Sequence, residues 1–159
     1  MKTKLIIVLA AVAMLFTACT KDNTQTEAAV NTLVLEGKTY QLECSYEIDA
    51  NGRSYASGQT VDKDSNGEPL YTIIADVEIP TLNKTYDLAN LPVDSDEIIS
   101  FCIHDASWEF CPAFASGTLT ISRTEELFTY KLTTGVTLDN MAVSFHISVP
   151  KAQWVQLQY

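Results

Sequence analysis

The chain has 159 residues, of which 10 are basic and 20 acidic, giving a net charge of −10. Nucleic acids are held by clustered Lys and Arg, so this balance argues against a nucleic-acid partner. The length is that of one domain, enough to bury about two-thirds of the unfolded-state surface.

The first 18 residues open with Lys2 and Lys4, continue through an apolar run from Leu5 to Phe16, and close on the small residues Thr17 and Ala18. That layout is an export signal. The apolar run is 12 residues, too short for a bilayer core that needs about 20. Cys19 follows, and the chain turns polar at once.

The stretch Phe16-Thr17-Ala18-Cys19 resembles the lipobox of bacterial lipoproteins, with Phe16 where leucine is usual. The resemblance implies cleavage before Cys19, a diacylglycerol on its sulfur and an amide-linked acyl chain. At about 0.8 kcal/mol per buried methylene, several chains together hold a protein stably at a membrane. Residues 1–18 are then a lipoprotein signal peptide, and losing Lys2 and Lys4 takes the net charge from −10 to −12. Residues 19–31 have almost no large apolar side chain and read as a lipidated flexible tether. Thr20-Lys21-Asp22 resembles the charged signal behind the lipidated cysteine of Bacteroidetes surface lipoproteins. It implies a lipid-anchored outer-membrane protein, on the cell surface or the periplasmic face.

Residues 32–159 form the expected domain. Tyr40, Leu42, Cys44, Tyr46 and Ile48 alternate with Gln41, Glu43, Ser45, Glu47 and Asp49, the period of a strand with one wet face. Asn51-Gly52 predicts a tight hairpin turn, since both residues tolerate positive φ. Tyr71, Ile73, Ala75, Val77 and Ile79 repeat the alternation until Pro80. Further strands place Leu119 and Ile121, then Phe128, Tyr130 and Leu132, then Val143, Phe145, Ile147 and Val149 inward, the last after an Asp139-Asn140 turn. No long segment carries apolar residues at helical spacing. The pattern predicts an all-β chain: a single antiparallel β-sandwich, with a small calycin-like barrel as the alternative. A membrane-spanning barrel does not fit, because the outward faces carry Glu43, Glu47, Asp76, Glu78 and Lys131.

The order of LEGKTYQLECSY, NKTYDL, SGTLTI and YKLTTGVTLDNMAVSF resembles small Bacteroidetes lipoproteins with an antiparallel β domain of unknown function. The similarity covers residues 33–149. It implies a β-sandwich-like fold in the cell envelope and transfers no catalytic or binding residue.

With Cys19 acylated, an odd number of cysteines remains: Cys44, Cys102 and Cys111. If residues 97–111 form a hairpin centred between Ala106 and Ser107 with a two-residue loop, Cys102 and Cys111 oppose one another as a non-hydrogen-bonded pair. Their Cα atoms then lie about 4.5 Å apart, within disulfide range. Cys44, on an apolar face, reads as a small buried hydrophobe. Asp62-Lys63-Asp64-Ser65-Asn66-Gly67 matches the first half of a calcium loop, with Asp62, Asp64 and Asn66 as ligands. The closing glutamate is missing, Ile73 standing in its place, so the stretch reads first as a polar turn. No nucleophile elbow, zinc helix or phosphate loop occurs. The expectation is a non-enzymatic module without a cofactor, acting by binding or as a structural part, with a protein or a glycan as partner. Carriage of a small apolar ligand, or service as a subunit of a surface fibre, are the alternatives. An exposed Trp108 or Trp154 beside Asn and Asp side chains would favour the glycan.

Overall fold

The computed structural model describes residues 27–77, 82–90, 100–108 and 112–157. These form β1 (Thr32–Leu35), β2 (Lys38–Ile48), β3 (Ser54–Thr60), β4 (Tyr71–Val77), β5 (Lys84–Asp87), β6 (Ser100–Asp105), β7 (Phe114–Arg123), β8 (Leu127–Thr137), β9 (Ala142–Pro150) and β10 (Trp154–Gln156). Two single 3₁₀ turns, Leu88–Asn90 and Lys151–Gln153, complete them, with no α-helix among the described residues. The all-β reading holds.

All ten strands belong to one sheet, in the order β5-β7-β8-β9-β1-β2-β3-β4-β6, antiparallel throughout, and β10 adds to β2 in parallel. The hinge of this sheet is β2. Its first residues, Lys38 to Gln41, pair with β1, and Leu42 to Ile48 pair with β3. The sheet thereby curls into a half-barrel whose two limbs face one another. Among the described residues no ladder joins β5 to β6, so the path stays open. The fold thus lies between the sandwich and the closed barrel.

Alternation decides what lies between the limbs. Tyr40, Leu42, Tyr46, Ile73, Ala75, Val77, Leu119, Ile121, Phe128, Tyr130, Leu132, Val143, Phe145, Ile147 and Val149 are all buried, as their period-two spacing predicts. Each large apolar side chain removed from water contributes about 1.5–3 kcal/mol. Contacts cross from limb to limb: Tyr46 on β2 stacks on Phe128 of β8 at 3.9 Å between centroids. Phe101 on β6 meets Tyr130 and Phe145 edge-on. Opposite Ile147, β3 carries Gly58, where an added Cβ would sit 3.0 Å from the isoleucine Cδ1. The interior is filled by aromatic rings.

Bulges bend β7 and β8. Their ladder slips between Phe114 and Thr118, and the β8–β9 ladder slips between Leu132 and Gly135. At the slips two glycines press together: a Cβ on Gly117 (φ 145°) would lie 3.0 Å from the Gly135 Cα. One on Gly135 would lie 2.6 Å from the Val143 carbonyl oxygen. Bulges sharpen twist, and only glycine allows backbones this close.

Residues 27–31, expected from the sequence to belong to a flexible tether, make specific contacts with the sheet. Ala28 is buried, Glu27 pairs with Lys131, and the Asn31 side chain accepts the Ser148 amide at 2.7 Å. Residues 27–31 are therefore docked on the sheet.

Candidate functional site: a cleft at the mouth of the half-barrel

Four reversals share one construction. In each, the first residue's carbonyl accepts the amide of the fourth: Gly52 to Asp49, Gly67 to Asp64, Trp108 to Asp105 and Asn140 to Thr137, at 3.0–3.2 Å. A short side chain at the first position braces the loop. Asp49 Oδ1 accepts the amides of Asn51 and Arg53, Asp64 Oδ1 those of Asn66 and Glu68, and Asp105 Oδ1 that of Ser107. Thr137 does the same for Met141 with its hydroxyl. The fourth residue takes a left-handed φ of 83° at Gly52, 87° at Gly67, 62° at Asn140 and 62° at Trp108. At Asp49, Asp64 and Thr137 the first residue's amide also donates to the fifth residue's carbonyl, which makes these bulged hairpin turns; at Asp105 the described residues show the turn itself. The turn at Asn51-Gly52 is thus of this kind, with positive φ at the glycine and not at the asparagine, because Asp49 captures the Asn51 amide.

The same construction explains the half-matched calcium loop. Asp64 Oδ1 is taken by two amides of its own turn, and its Oδ2 accepts Asn66 Nδ2 at 3.3 Å. The Glu68 amide, with further donors from Asn66 and Gly67, holds the Asp64 carboxyl below its usual range. Asp62 contributes its carbonyl to Leu70 and to the Thr60 hydroxyl, while its side chain stays on the exposed loop. Among the described residues no three His, Cys, Asp or Glu side chains gather at a metal-binding distance.

The β4–β6 ladder sets Tyr71 opposite Asp105 and brings the turn at 64–67 to face that at 105–108. Between them opens a cleft of 460 Å³ lined by Asp64, Asn66, Leu70, Tyr71, Asp105 and Ser107, among others. Tyr71 and Asp105 have the same strand parity as the buried Ile73 and Ile103, so they stand where the inward face runs out at the mouth of the half-barrel. Barrel mouths and volumes of this size are common for small-ligand sites. Tyr71 rests edge-on against Tyr40 at 5.2 Å. Partial burial, then Tyr40 and the Asp105 carboxylate, push its phenol up, so it stays a neutral hydroxyl. Ser107 donates its hydroxyl to Asp105 at 2.7 Å.

Next in the chain stands Trp108. Its ring lies 4.7 Å from that of His104, and the residue is 60% exposed. The equivalent positions of the sibling turns hold glycine, glycine and asparagine, the residues that tolerate left-handed backbone. A tryptophan there is strained. Trp154 is different: half-buried, edge-on to Tyr46, with Nε1 donating to the Val149 carbonyl, it belongs to the core.

Cys102 is disulfide-bonded and Cys44 is free. Cys19 and Cys111 lie outside the described residues, as do Glu78, Ile79, Pro80 and Phe110. A turn around Ala106 and Ser107 is present, with Trp108 left-handed, while the returning half of the expected hairpin lies outside the described residues. Burial pushes the Cys44 thiol up to about 12 from 9.0, so it is not a nucleophile at neutral pH. His104 Nδ1 lies 3.8 Å from Cys102 Sγ, a sulfur already bonded in the disulfide. His146 sits opposite Lys131 on the outer face of β9, and Glu125 and Glu126 lie exposed in the β7–β8 turn. These groups do not converge with the cleft. Among the described residues no helix is long and apolar enough to cross a membrane.

Tyr71, Asp105 and Ser107 escaped the sequence reading, because only strand register brings them to Asp64 and Asn66. One signal was available: D-A-N-G-R, D-S-N-G-E and D-A-S-W align as one turn motif with an aromatic residue in the glycine position. No family model, curated protein or solved structure matches this chain.

Proposed function

We propose that this chain is a lipid-anchored envelope protein, held at the outer membrane through Cys19, that binds a glycan in the mouth cleft without transforming it. The observation that carries the reading is Trp108: an exposed aromatic ring resting on His104, where its sibling turns hold glycine or asparagine, and next in the chain to Ser107, which lines a cleft of Asp, Asn, Ser and Tyr side chains. Sugar rings present an apolar face and a polar rim, and such a lining offers both an aromatic surface and hydrogen-bonding groups. The lipobox and the charged stretch behind it support the envelope location, as does the resemblance to small Bacteroidetes lipoproteins. If Cys19 carries the acyl chains, Cys111 is the cysteine left to pair with Cys102. The filled interior speaks against carriage of an apolar ligand inside the half-barrel.

The test is a binding panel of neutral, amino and acidic oligosaccharides against the mature lipoprotein in detergent. At least one member is expected to bind, and Trp108→Gly is expected to weaken it at least tenfold, the scale of one lost aromatic contact in a binding site. A panel with no binder, or a Trp108→Gly variant that binds as the parent does, would refute the reading.

A further inference from the structure

The N-terminal segment meets the sheet at one definite place. Lys131 stands between the buried Tyr130 and Leu132, so it points to the outer face of β8, and Glu27 pairs with it there. From Glu27 the docked segment runs over β9 to Asn31, whose side chain accepts the Ser148 amide and whose carbonyl accepts the Leu42 amide and the Gln41 side chain. Eight residue steps separate Glu27 from Cys19, a reach of at most about 28 Å. Facing sheets lie about 10 Å apart and neighbouring strands about 4.8 Å. To bring the limb of β3, β4 and β6 down on a membrane, the chain before Glu27 would have to pass β7 and β5, round the sheet edge and clear both limbs with their outer side chains. That path uses the whole reach, whereas the outer face of β8 needs almost none of it.

The two outer faces also differ in chemistry. On β5, β7 and β8 the outward positions hold Thr85, Thr118, Thr120, Ser122, Thr129 and Thr133, alternating with the buried Tyr86, Leu119, Ile121, Phe128 and Leu132. Register sets Thr85 against Thr120, Thr118 against Thr133 and Ser122 against Thr129, a field of hydroxyls three strands wide. Among the described residues, the charges at the outward positions of these strands are Asp87 and Lys131, the latter paired with Glu27. The outer face of the other limb carries Glu43 and Glu47 on β2 and Asp76 on β4, the last paired with Arg53. Lipid headgroups present phosphate and ester oxygens, to which hydroxyls donate and from which carboxylates are repelled.

We infer that the domain lies on the membrane that holds its anchor with the outer face of β5, β7 and β8 against the lipid headgroups, and turns the outer face of β3, β4 and β6 away. The inference rests on the lipid-anchor reading and goes beyond it by naming the surface that meets the bilayer. The Thr and Ser hydroxyls exchange water for headgroup oxygens, while Glu43 and Glu47 stay in solvent. Trp108, resting on His104 of β6, then faces outward, where a partner can reach it.

The probe is a nanodisc of phosphatidylethanolamine and phosphatidylglycerol with a gadolinium chelate on a fraction of its headgroups. It carries the mature lipoprotein, labelled at threonine methyl groups and with nitrogen-15. Relaxation enhancement falls with the sixth power of distance, so sheets about 10 Å apart are well separated by it. The methyls of Thr85, Thr118, Thr120, Thr129 and Thr133 are expected to broaden at least about tenfold more than the Gln59 amide and the Trp108 indole on the far limb. Broadening spread evenly over both limbs, or strongest at Tyr55, Gln59 or Trp108, would overturn the inference. Mass spectrometry separates the two levels: acyl chains at Cys19 with even broadening remove the inference and leave the anchor reading, and an unmodified Cys19 in protein from its native host removes both.

Discussion

Trp108 carries the largest unexplained cost at the scale of single residues. Left-handed backbone costs an ordinary L-residue about 1–2 kcal/mol, and its ring gains only a partial contact with His104. Trp108→Gly relieves the strain, but glycine adds back about 0.4–1 kcal/mol of unfolded-state entropy and the ring contact is lost. Chemical denaturation of this variant is expected to fall within about 1 kcal/mol of the parent. Trp154→Ala removes a half-buried ring and its indole hydrogen bond, and is expected to cost about 2–3 kcal/mol, just under the range for fully buried rings. A loss above about 2 kcal/mol for Trp108→Gly would show that the indole is core and not site. The sequence distinguishes these two tryptophans only by a condition, exposure beside Asn and Asp. Residue spacing reports which face of a strand a side chain takes, but not the sign of φ in a turn. The Asp-x-Asn-Gly repeats were visible as letters, and their equivalence to Asp105-Ala106-Ser107-Trp108 became plain only through matching hydrogen bonds.

Elements with strict alternation were legible almost to the residue. For β2, Tyr40, Leu42 and Tyr46 of the predicted inward set are buried, while Cys44, expected to be a buried hydrophobe, and Ile48 are only half-buried against the core, because register fixes which face a side chain takes and not how deep that part of the strand lies. The bulged strands were not legible in this way. Across Leu132, Thr133, Thr134, Gly135 and Val136 the alternation is interrupted, and Thr134 sits at φ 50° so that the chain gains its extra residue. This irregularity bends the sheet, and a glycine makes it sterically feasible. Gly135→Ala would drive a Cβ to 2.6 Å from the Val143 oxygen and 2.7 Å from Leu132 Cδ2. A fall in unfolding free energy of about 2–3 kcal/mol is expected, in the range of overpacked cores. An unchanged urea midpoint would mean the two strands can part there at no cost. The parallel pairing of β10 was also beyond sequence pattern. It depends on β2 having shed β1 after Gln41, which leaves an edge for Trp154, Val155 and Gln156 to pair with Tyr46, Glu47 and Ile48.

Across the whole molecule, the curl of one sheet places the cleft. Strands β3, β4 and β6 form one limb and β7, β8 and β9 the other, and the cleft opens where the inward faces of β4 and β6 end, above the packed rings of Tyr40 and Tyr71. Docking of residues 27–31 across β8 and β9 matters for the proposed anchor. It leaves eight residue steps between Cys19 and Glu27, a reach of at most about 28 Å. The segment Glu27-Ala28-Ala29-Val30-Asn31 is less polar than the stretch before it but has no large side chain except Val30, which is exposed, and it is held by single contacts such as Ala28 and Asn31, too few to register as a pattern. The central claim is that the mouth cleft and Trp108 act together as a sugar site. It is tested most directly by nuclear magnetic resonance of the nitrogen-15-labelled mature chain, titrated with the tightest oligosaccharide of the panel. The account predicts that the Trp108 indole and the amides of residues 64–71 and 104–108 shift together while the Trp154 indole stays still. Shifts centred on Trp154 or on the outer face of β2 and β3, with the cleft silent, would contradict it.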